Sequence, residues 1–243
     1  MKLNNILGVA LGNFWRWEKN PNRASLIKYA KQFNLEGIEL TVGRKGEAFA
    51  FSFDEKDLEF LSSQRYVSIH APFHILRSTS GEDEIIKLLT LVEEIYNKTN
   101  AKTVVFHPND IPPDKVLKRF NFHMSIENMP KNRWFSIADL EKLLERYKNA
   151  GLCLDTAHAF SYSQNHLKEI IDRLGDKITQ VHLSGRGNGR DHVRLRDADE
   201  GFYESLKPLK KLNVPIIIEE DLEFDMEKAK EEVEEIKKFL YNL

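Results

Sequence analysis

The sequence predicts a single-domain α/β protein, a (β/α)8 TIM barrel over residues 1–243, and three observations predict it. Eight short apolar runs, most of them with Val or Ile, recur along the chain, an amphipathic stretch of helical period follows each, and seven of the runs carry a histidine or an acid as their last or next-to-last residue. Strand–helix alternation demands a parallel sheet, and eight units in about 240 residues match the arithmetic of the barrel. A doubly wound open sheet is the alternative. No Gly-rich phosphate loop follows the first strand, however; GVALGNFW leads into polar residues instead.

The elements follow in order. ILGVAL (6–11) precedes PNRASLIKYAKQF (21–33), and GIEL (37–40) leads through the loop TVGRKGEAFAFSF to DEKDLEFLSS (54–63). VSIH (67–70) precedes EDEIIKLLTLVEEIYNK (82–98), where Ile86, Leu89, Val92 and Ile95 recur at helical spacing. TVVFH (103–107) precedes PDKVLKRF (113–120). FHMSIE (122–127) precedes SIADLEKLLERYKNA (136–150), with an apolar stripe of Ile137, Leu140, Leu143 and Leu144 and a cap region at Ser136 and Glu141. GLCLD (151–155) precedes NHLKEIIDRLG (165–175); its Leu152 and Leu154 are expected to fill the barrel and its polar end to face a pocket. ITQVHL (178–183) and VPIIIE (214–219) precede ADEGFYESLKPLKKL (198–212) and FDMEKAKEEVEEIKKFLYNL (224–243). The runs are short and β-branched, which favours strands over helices.

Composition narrows the function. A formal net charge of −2 gives no global attraction to nucleic acid or to an anionic membrane. One cysteine, Cys153, excludes an internal disulfide and fits a reducing compartment. The N-terminal stretch lacks the apolar core and cleavage site of a signal peptide, and no run approaches the ~20 apolar residues of a membrane span. A cytoplasmic enzyme is expected.

The position of the polar residues carries the functional signal. Barrel chemistry sits at the C-terminal ends of the strands. Those ends read Glu39, His70, His107, Glu127, Asp155, His182 and Glu219, and His158 and His192 lie in the loops that follow. One such residue alone reads as a hydrogen-bonded structural group, and Asp155 alone reads as a helix cap. Together, imidazoles and carboxylates converging around a ring of strands make a metal site. His74, His123 and His166 show no such placement. The loop SGRGNGRDHVRLR brings Arg186, Arg190, Arg194 and Arg196 near the expected mouth, where they suit a phosphate or pair with nearby acids.

GLCLDTAHAF resembles the metal-binding signature of endonuclease IV. SIHAPF, VVFHP, SIEN, VHLSG followed by RDH, and IIIEE fall in the matching order. From about Gly37 to Glu219 the chain resembles the xylose-isomerase-like superfamily of TIM barrels, which holds sugar and sugar-phosphate isomerases and epimerases as well as endonuclease IV. The resemblance implies that Glu127, Asp155, His182 and Glu219 form the four-ligand site of the epimerases. It implies that His70 and His107, with Glu127 as a bridge, hold another metal, and that His158 and His192 match two ligands of a third. The remaining ligand of that third metal is an Asp two residues before the final His. Arg190 occupies this position, and Asp191 is out of register. The Gly-rich segment that follows in the family is replaced by HVRLRDADEGF.

Two reactions fit these groups. The first expectation is a metal-dependent sugar or sugar-phosphate isomerase or epimerase, with one or two divalent ions (Zn, Mn, Co or Mg) per chain. The resemblance to the epimerases implies that Glu127 and Glu219 move a proton beside a carbonyl, and His158 is placed to bind a hydroxyl or shuttle a proton. Arg186, Arg190, Arg194 and Glu39 are the expected contacts to phosphate or substrate. The alternative is an endonuclease IV-like phosphodiesterase acting at abasic DNA, which uses paired ions. Neither reading involves a membrane, and the sequence is silent on oligomeric state.

Overall fold

Each of the eight Val- and Ile-rich runs forms a strand, with ends within two residues of those expected. The computed structural model describes residues 6–18, 20, 22–79, 81–133 and 135–242. Pro21, where the first helical stretch was expected to begin, and residues 1–5 of the N-terminal stretch lie outside the described residues. The strands are β1 (Leu7–Ala10), β2 (Gly37–Thr41), β3 (Tyr66–His70), β4 (Thr103–Phe106), β5 (Met124–Glu127), β6 (Gly151–Asp155) and β7 (Ile178–Leu183). A hairpin of β8 (Gly185–Gly187) and β9 (Arg190–Val193) follows, and β10 (Ile216–Ile218) completes the barrel. Neighbours pair in parallel around the ring, and β1 closes it by pairing with both β2 and β10. Among the described residues no helix is long and apolar enough to cross a membrane.

The expected helices form, though several are shorter than their apolar patterns. The longest, Glu82–Thr99, buries Ile85, Leu88, Leu89, Val92 and Ile95. Ser136 does cap the helix Ile137–Arg146, but its partner is Asp139, which closes a capping box over the first turn. Glu141 instead pairs with Arg173 of the next helix at 2.9 Å. The loop after β2 contains an unexpected helix, Lys45–Ala50, held at its start by Glu47, whose carboxylate accepts the Arg44 N–H at 2.7 Å. Phe51 is buried there, whereas Phe49 is exposed.

The direction of the strand residues corrects one expectation. Leu152 and Leu154 do not fill the barrel; they belong to the apolar layer between strands and helices, with Ile38, Leu40, Ile69, Val104 and Ile126. Side chains alternate along a strand, so Cys153 and Asp155 take the inner face. The barrel interior accordingly sets polar side chains beside a small apolar group of Ala10, Tyr66 and Ile217. Tyr66 Oη donates to Gln180 Oε1 at 2.7 Å, and Ser125 Oγ lies 2.7 Å from both Thr103 Oγ1 and Thr179 Oγ1. Gly151 leaves room for this layer, because a Cβ there would meet Thr179 Cγ2 at 2.2 Å. A buried polar group in such a place needs a partner.

Candidate metal centre

Glu127 ends β5 at the centre of the rim. Its Oε2 lies 3.1 Å from His107 Nε2 and 3.4 Å from His70 Nε2; its Oε1 lies 3.3 Å from His182 Nδ1. One carboxylate thus faces imidazoles from β3, β7 and the residue after β4. Asp155 and His182 are register partners on β6 and β7, so both point inward at the same level. Glu219, just beyond β10, brings Oε2 to 2.7 Å from His182 Nδ1.

Three groups of donors result: His70, His107 and Glu127; Glu127, Asp155, His182 and Glu219; and Asp155, His158 and His192. Within each group the donor atoms lie within 4.8 Å of one another. The seven strand-end residues singled out in the sequence therefore meet at one rim, except Glu39. That carboxylate lies fully buried beneath His182 and accepts from Ser68 Oγ at 3.0 Å and Gln180 Nε2 at 2.8 Å. It supports the cluster from below and does not line the cavity.

The imidazoles are oriented as metal-binding histidines are, with one nitrogen committed to an outer acceptor. Nδ1 lies 3.0 Å from Ala71 O in His70, 2.8 Å from Asn128 O in His158 and 2.9 Å from Glu219 O in His192. Nε2 of His182 lies 3.0 Å from Glu39 Oε2. His107 is the loosest, with Asp110 Oδ2 3.9 Å from Nδ1. His192 adopts a left-handed backbone (φ 58°), which a non-glycine residue takes only where its surroundings hold it. Sequence reasoning assigned no role to Asn128, although it stands in the SIEN motif. Its side chain accepts the Asp155 N–H at 2.7 Å and donates to Asp155 O at 3.0 Å, clamping the ends of β5 and β6.

Asp155 tests whether a cation fits. Its Oδ1 caps the short helix Thr156–Phe160 by accepting the His158 N–H at 2.6 Å. Its Oδ2 is buried without a hydrogen-bond partner. A buried carboxylate oxygen left without hydration costs several kcal/mol at the upper end, and a divalent ion shared with the facing carboxylates removes that cost. A donor set of carboxylate oxygens and imidazole nitrogens suits Zn, Mn or Co.

Charge is distributed to match. Burial disfavours an ionised Glu127, but the imidazoles of His107, His182 and His70 hold its carboxyl well below the usual range. Burial also opposes the charge of Glu219, yet His182 and His192 hold it to about 2. Burial dominates at Asp155 and pushes it up to about 6. Burial works against a charged His70 and a charged His192, but Glu127 lifts the first and Glu219 and Asp155 lift the second, each to about 9. Protons on the imidazoles balance the carboxylates where ions would otherwise do so.

His70, His107, Glu127, His158, His192 and Glu219 line a cavity of about 1150 Å³, while Asp155 and His182 are fully buried beneath it. The arginines around this cavity differ from those expected. Arg186 pairs with Asp191, and Arg194 with Asp197 and Glu223, while Arg196 reaches Glu232 at 3.4 Å. Arg190 is exposed, and neither it nor Arg186 nor Arg194 lines the cavity. The hairpin of β8 and β9 turns through Asn188 and Gly189 in left-handed conformations and gives the cavity His192 and Asp191 instead. The cationic lining is Arg16, Arg23, Arg44 and Arg133. Asp221 pairs with Arg16 and Glu47 with Arg23; Arg44 and Arg133 are exposed and form no ion pair among the described residues. His74 and His166 lie apart, the first with its N–H on Asp110 and the second stacked on Tyr162, and His123 sits at the opposite end of the barrel, before β5.

Residues 27–242 match the family described as the xylose isomerase-like TIM barrel. The chain is 27% identical over 187 residues to the uncharacterized protein MJ1188 of Methanocaldococcus jannaschii, a match covering 63% of this chain and 67% of that one. The fold of this chain is similar to that of a D-tagatose 3-epimerase-like protein (TM-score 0.69, 19% identity, 97% of each chain). It is equally similar to that of endonuclease IV from Thermus thermophilus (TM-score 0.70, 16% identity, 98% of this chain and all of that one). It also resembles a probable 3-DHS dehydratase from Bacillus anthracis (TM-score 0.67, 13% identity, 96% and 98%).

Proposed function

This chain belongs to the xylose isomerase-like TIM-barrel family, and on that premise we propose that it is a divalent-metal-dependent phosphodiesterase of the endonuclease IV kind. The observation that carries this reading is the surplus of inward imidazoles around Glu127. Proton transfer with one ion needs Glu127, Asp155, His182 and Glu219 alone. His70 and His107 add a second donor group that shares Glu127, and His158 and His192 flank Asp155. Divalent ions in such groups activate water and stabilise the leaving oxygen of a phosphodiester. The chain's own residues do the rest. Glu127 holds the two groups together, and its three imidazole neighbours keep it ionised. Glu219, ionised and 15% exposed toward the cavity, orients the attacking water. His158 commits Nδ1 to Asn128 and turns Nε2 to the cavity, in reach of a substrate oxygen. Arg44 and Arg133, on the loops after β2 and β5, stand over the floor as donors for phosphate oxygens.

Two observations favour the isomerase or epimerase reading. Glu127 and Glu219 approach His182 Nδ1 from two strands, which suits two-base proton transfer at a sugar carbon, and Arg190 stands where the third metal's Asp is expected. The two readings part in one experiment. Zinc- or manganese-loaded protein is expected to nick an abasic-site duplex and to exchange no solvent deuterium into sugars or sugar phosphates. Exchange without nicking reverses the assignment.

A further inference from the structure

The inward face of the barrel below the rim holds a buried carboxylate that the proposed chemistry does not use. Glu39 is fully buried on β2, and His182 is its one ion-pair partner among the described residues. Its Oε2 collects three contacts: Ser68 Oγ at 3.0 Å, Gln180 Nε2 at 2.8 Å and His182 Nε2 at 3.0 Å. Strand register dictates the first, because Glu39 and Ser68 are paired on β2 and β3. Period two dictates another link, because Gln180 and His182 share the inner face of β7. Tyr66, two residues before Ser68, donates its hydroxyl to Gln180 Oε1 and thereby fixes which end of that amide faces Glu39. The chain Tyr66–Gln180–Glu39–His182 runs from Tyr66 at the start of β3, which packs with Ala10 and Ile217, to the rim.

We infer that Glu39 is a positioning residue that sets the tautomer of His182, holding the proton on Nε2 so that Nδ1 is the nitrogen presented to a divalent ion. This rests on the metal site proposed above. The geometry divides the two nitrogens. Nδ1 looks up at Glu127 and Glu219, at 3.3 and 2.7 Å, and Nε2 looks down at Glu39. Gln180 Nε2 also lies 2.9 Å from His182 Nε2 and, acting alone, would favour an unprotonated Nε2 there. The Glu39 carboxylate outweighs it, since a charged acceptor forms the stronger bond. With a glutamine at position 39, the amide offers N–H or C=O with equal ease. The proton on Nε2 is then held less firmly, and Nδ1 is no longer singled out as the nitrogen that gives up its proton to an ion.

The test is Co2+ binding to the full chain, followed by calorimetry and by the visible absorption of the bound ion. Loss of an outer partner to a metal-bound histidine typically costs 10–100-fold in affinity. Glu39→Gln is therefore expected to weaken Co2+ binding by about that factor and to shift the absorption bands, with the metal-free far-UV spectrum unchanged. Ser68→Ala, which removes one donor to Glu39 and leaves the carboxylate in place, is expected to move affinity in the same direction by less. Both variants binding Co2+ with wild-type affinity and spectrum would overturn the role of Glu39 while leaving the metal site intact. A wild-type chain that takes up no Co2+ would overturn the metal site itself.

Discussion

Replacing Glu127 by alanine is expected to abolish phosphodiester cleavage and to empty two donor groups at once. The carboxylate is the one ligand common to His70/His107 and to Asp155/His182/Glu219. Metal charge stabilisation is worth several kcal/mol in the transition state, and each 1.36 kcal/mol is tenfold, so the rate should fall at least about a thousandfold. Stability should fall as well. The change leaves His70 and His182 buried without the carboxylate they face, and an uncompensated buried charge costs about 3–5 kcal/mol. Glu127→Gln removes the same charge but keeps the volume and an acceptor oxygen beside the imidazoles, so it leaves no cavity. The rate is expected to drop nearly as far, with a smaller loss of stability. Cleavage and metal content measured on both variants check this, and a Glu127→Gln protein with wild-type cleavage would remove Glu127 from the chemistry.

Metal uptake is expected to depend steeply on pH, with affinity rising from pH 7 toward 9. His70 and His192 are raised to about 9, so below that pH each carries a proton that a cation must displace. One proton released per ion makes affinity climb about tenfold per pH unit until the imidazole pKa is passed, after which the curve flattens. Asp155, raised to about 6, adds a further loss of affinity as pH falls below that value, because its carboxyl then holds a proton. The raised imidazoles work in the opposite direction on the metal-free protein, whose ion pairs with Glu127 and Glu219 are fully present at lower pH and are lost as pH passes about 9. Titration with zinc in buffers of differing ionisation enthalpy gives the proton count. A pH-independent affinity between 7 and 9 would show that no imidazole raised to about 9 gives up a proton to the ion.

Particular residues show how far the sequence carries the structure. The eight strands were legible because each is a short apolar run, β-branched in all but GLCLD, set between longer amphipathic stretches. The rim was legible because a charged residue ending an apolar run has few other places to go. The inward direction of each strand was not. A strand covered on both faces reads as a continuous run, and Leu152 and Leu154 look as fit for the interior as for the helical layer. Asp155 holds the missing information, since alternation from it puts both leucines outside. Glu39 looked like a substrate contact because it ends a strand as the ligands do. It stops lower on the ring, and only register with Ser68 and the reach of His182 reveal that. The arginines of the 186–196 loop were misplaced for a different reason. Their acids lie three to five residues away or on other loops, and the hairpin's left-handed turn decides which side chains reach the cavity. Arg44 and Arg133 were hidden in loops whose conformation no local pattern announces.

The central claim is that Glu127 joins two metal groups. Its most direct test is the number of ions held per chain after zinc loading and removal of loosely bound metal. Two or more zinc ions per chain are expected in the wild type, with binding in both groups lost or weakened together in Glu127→Ala. A single tightly held ion would contradict the bridge and return the chain to one-metal proton transfer, and no bound ion would contradict the metal centre altogether.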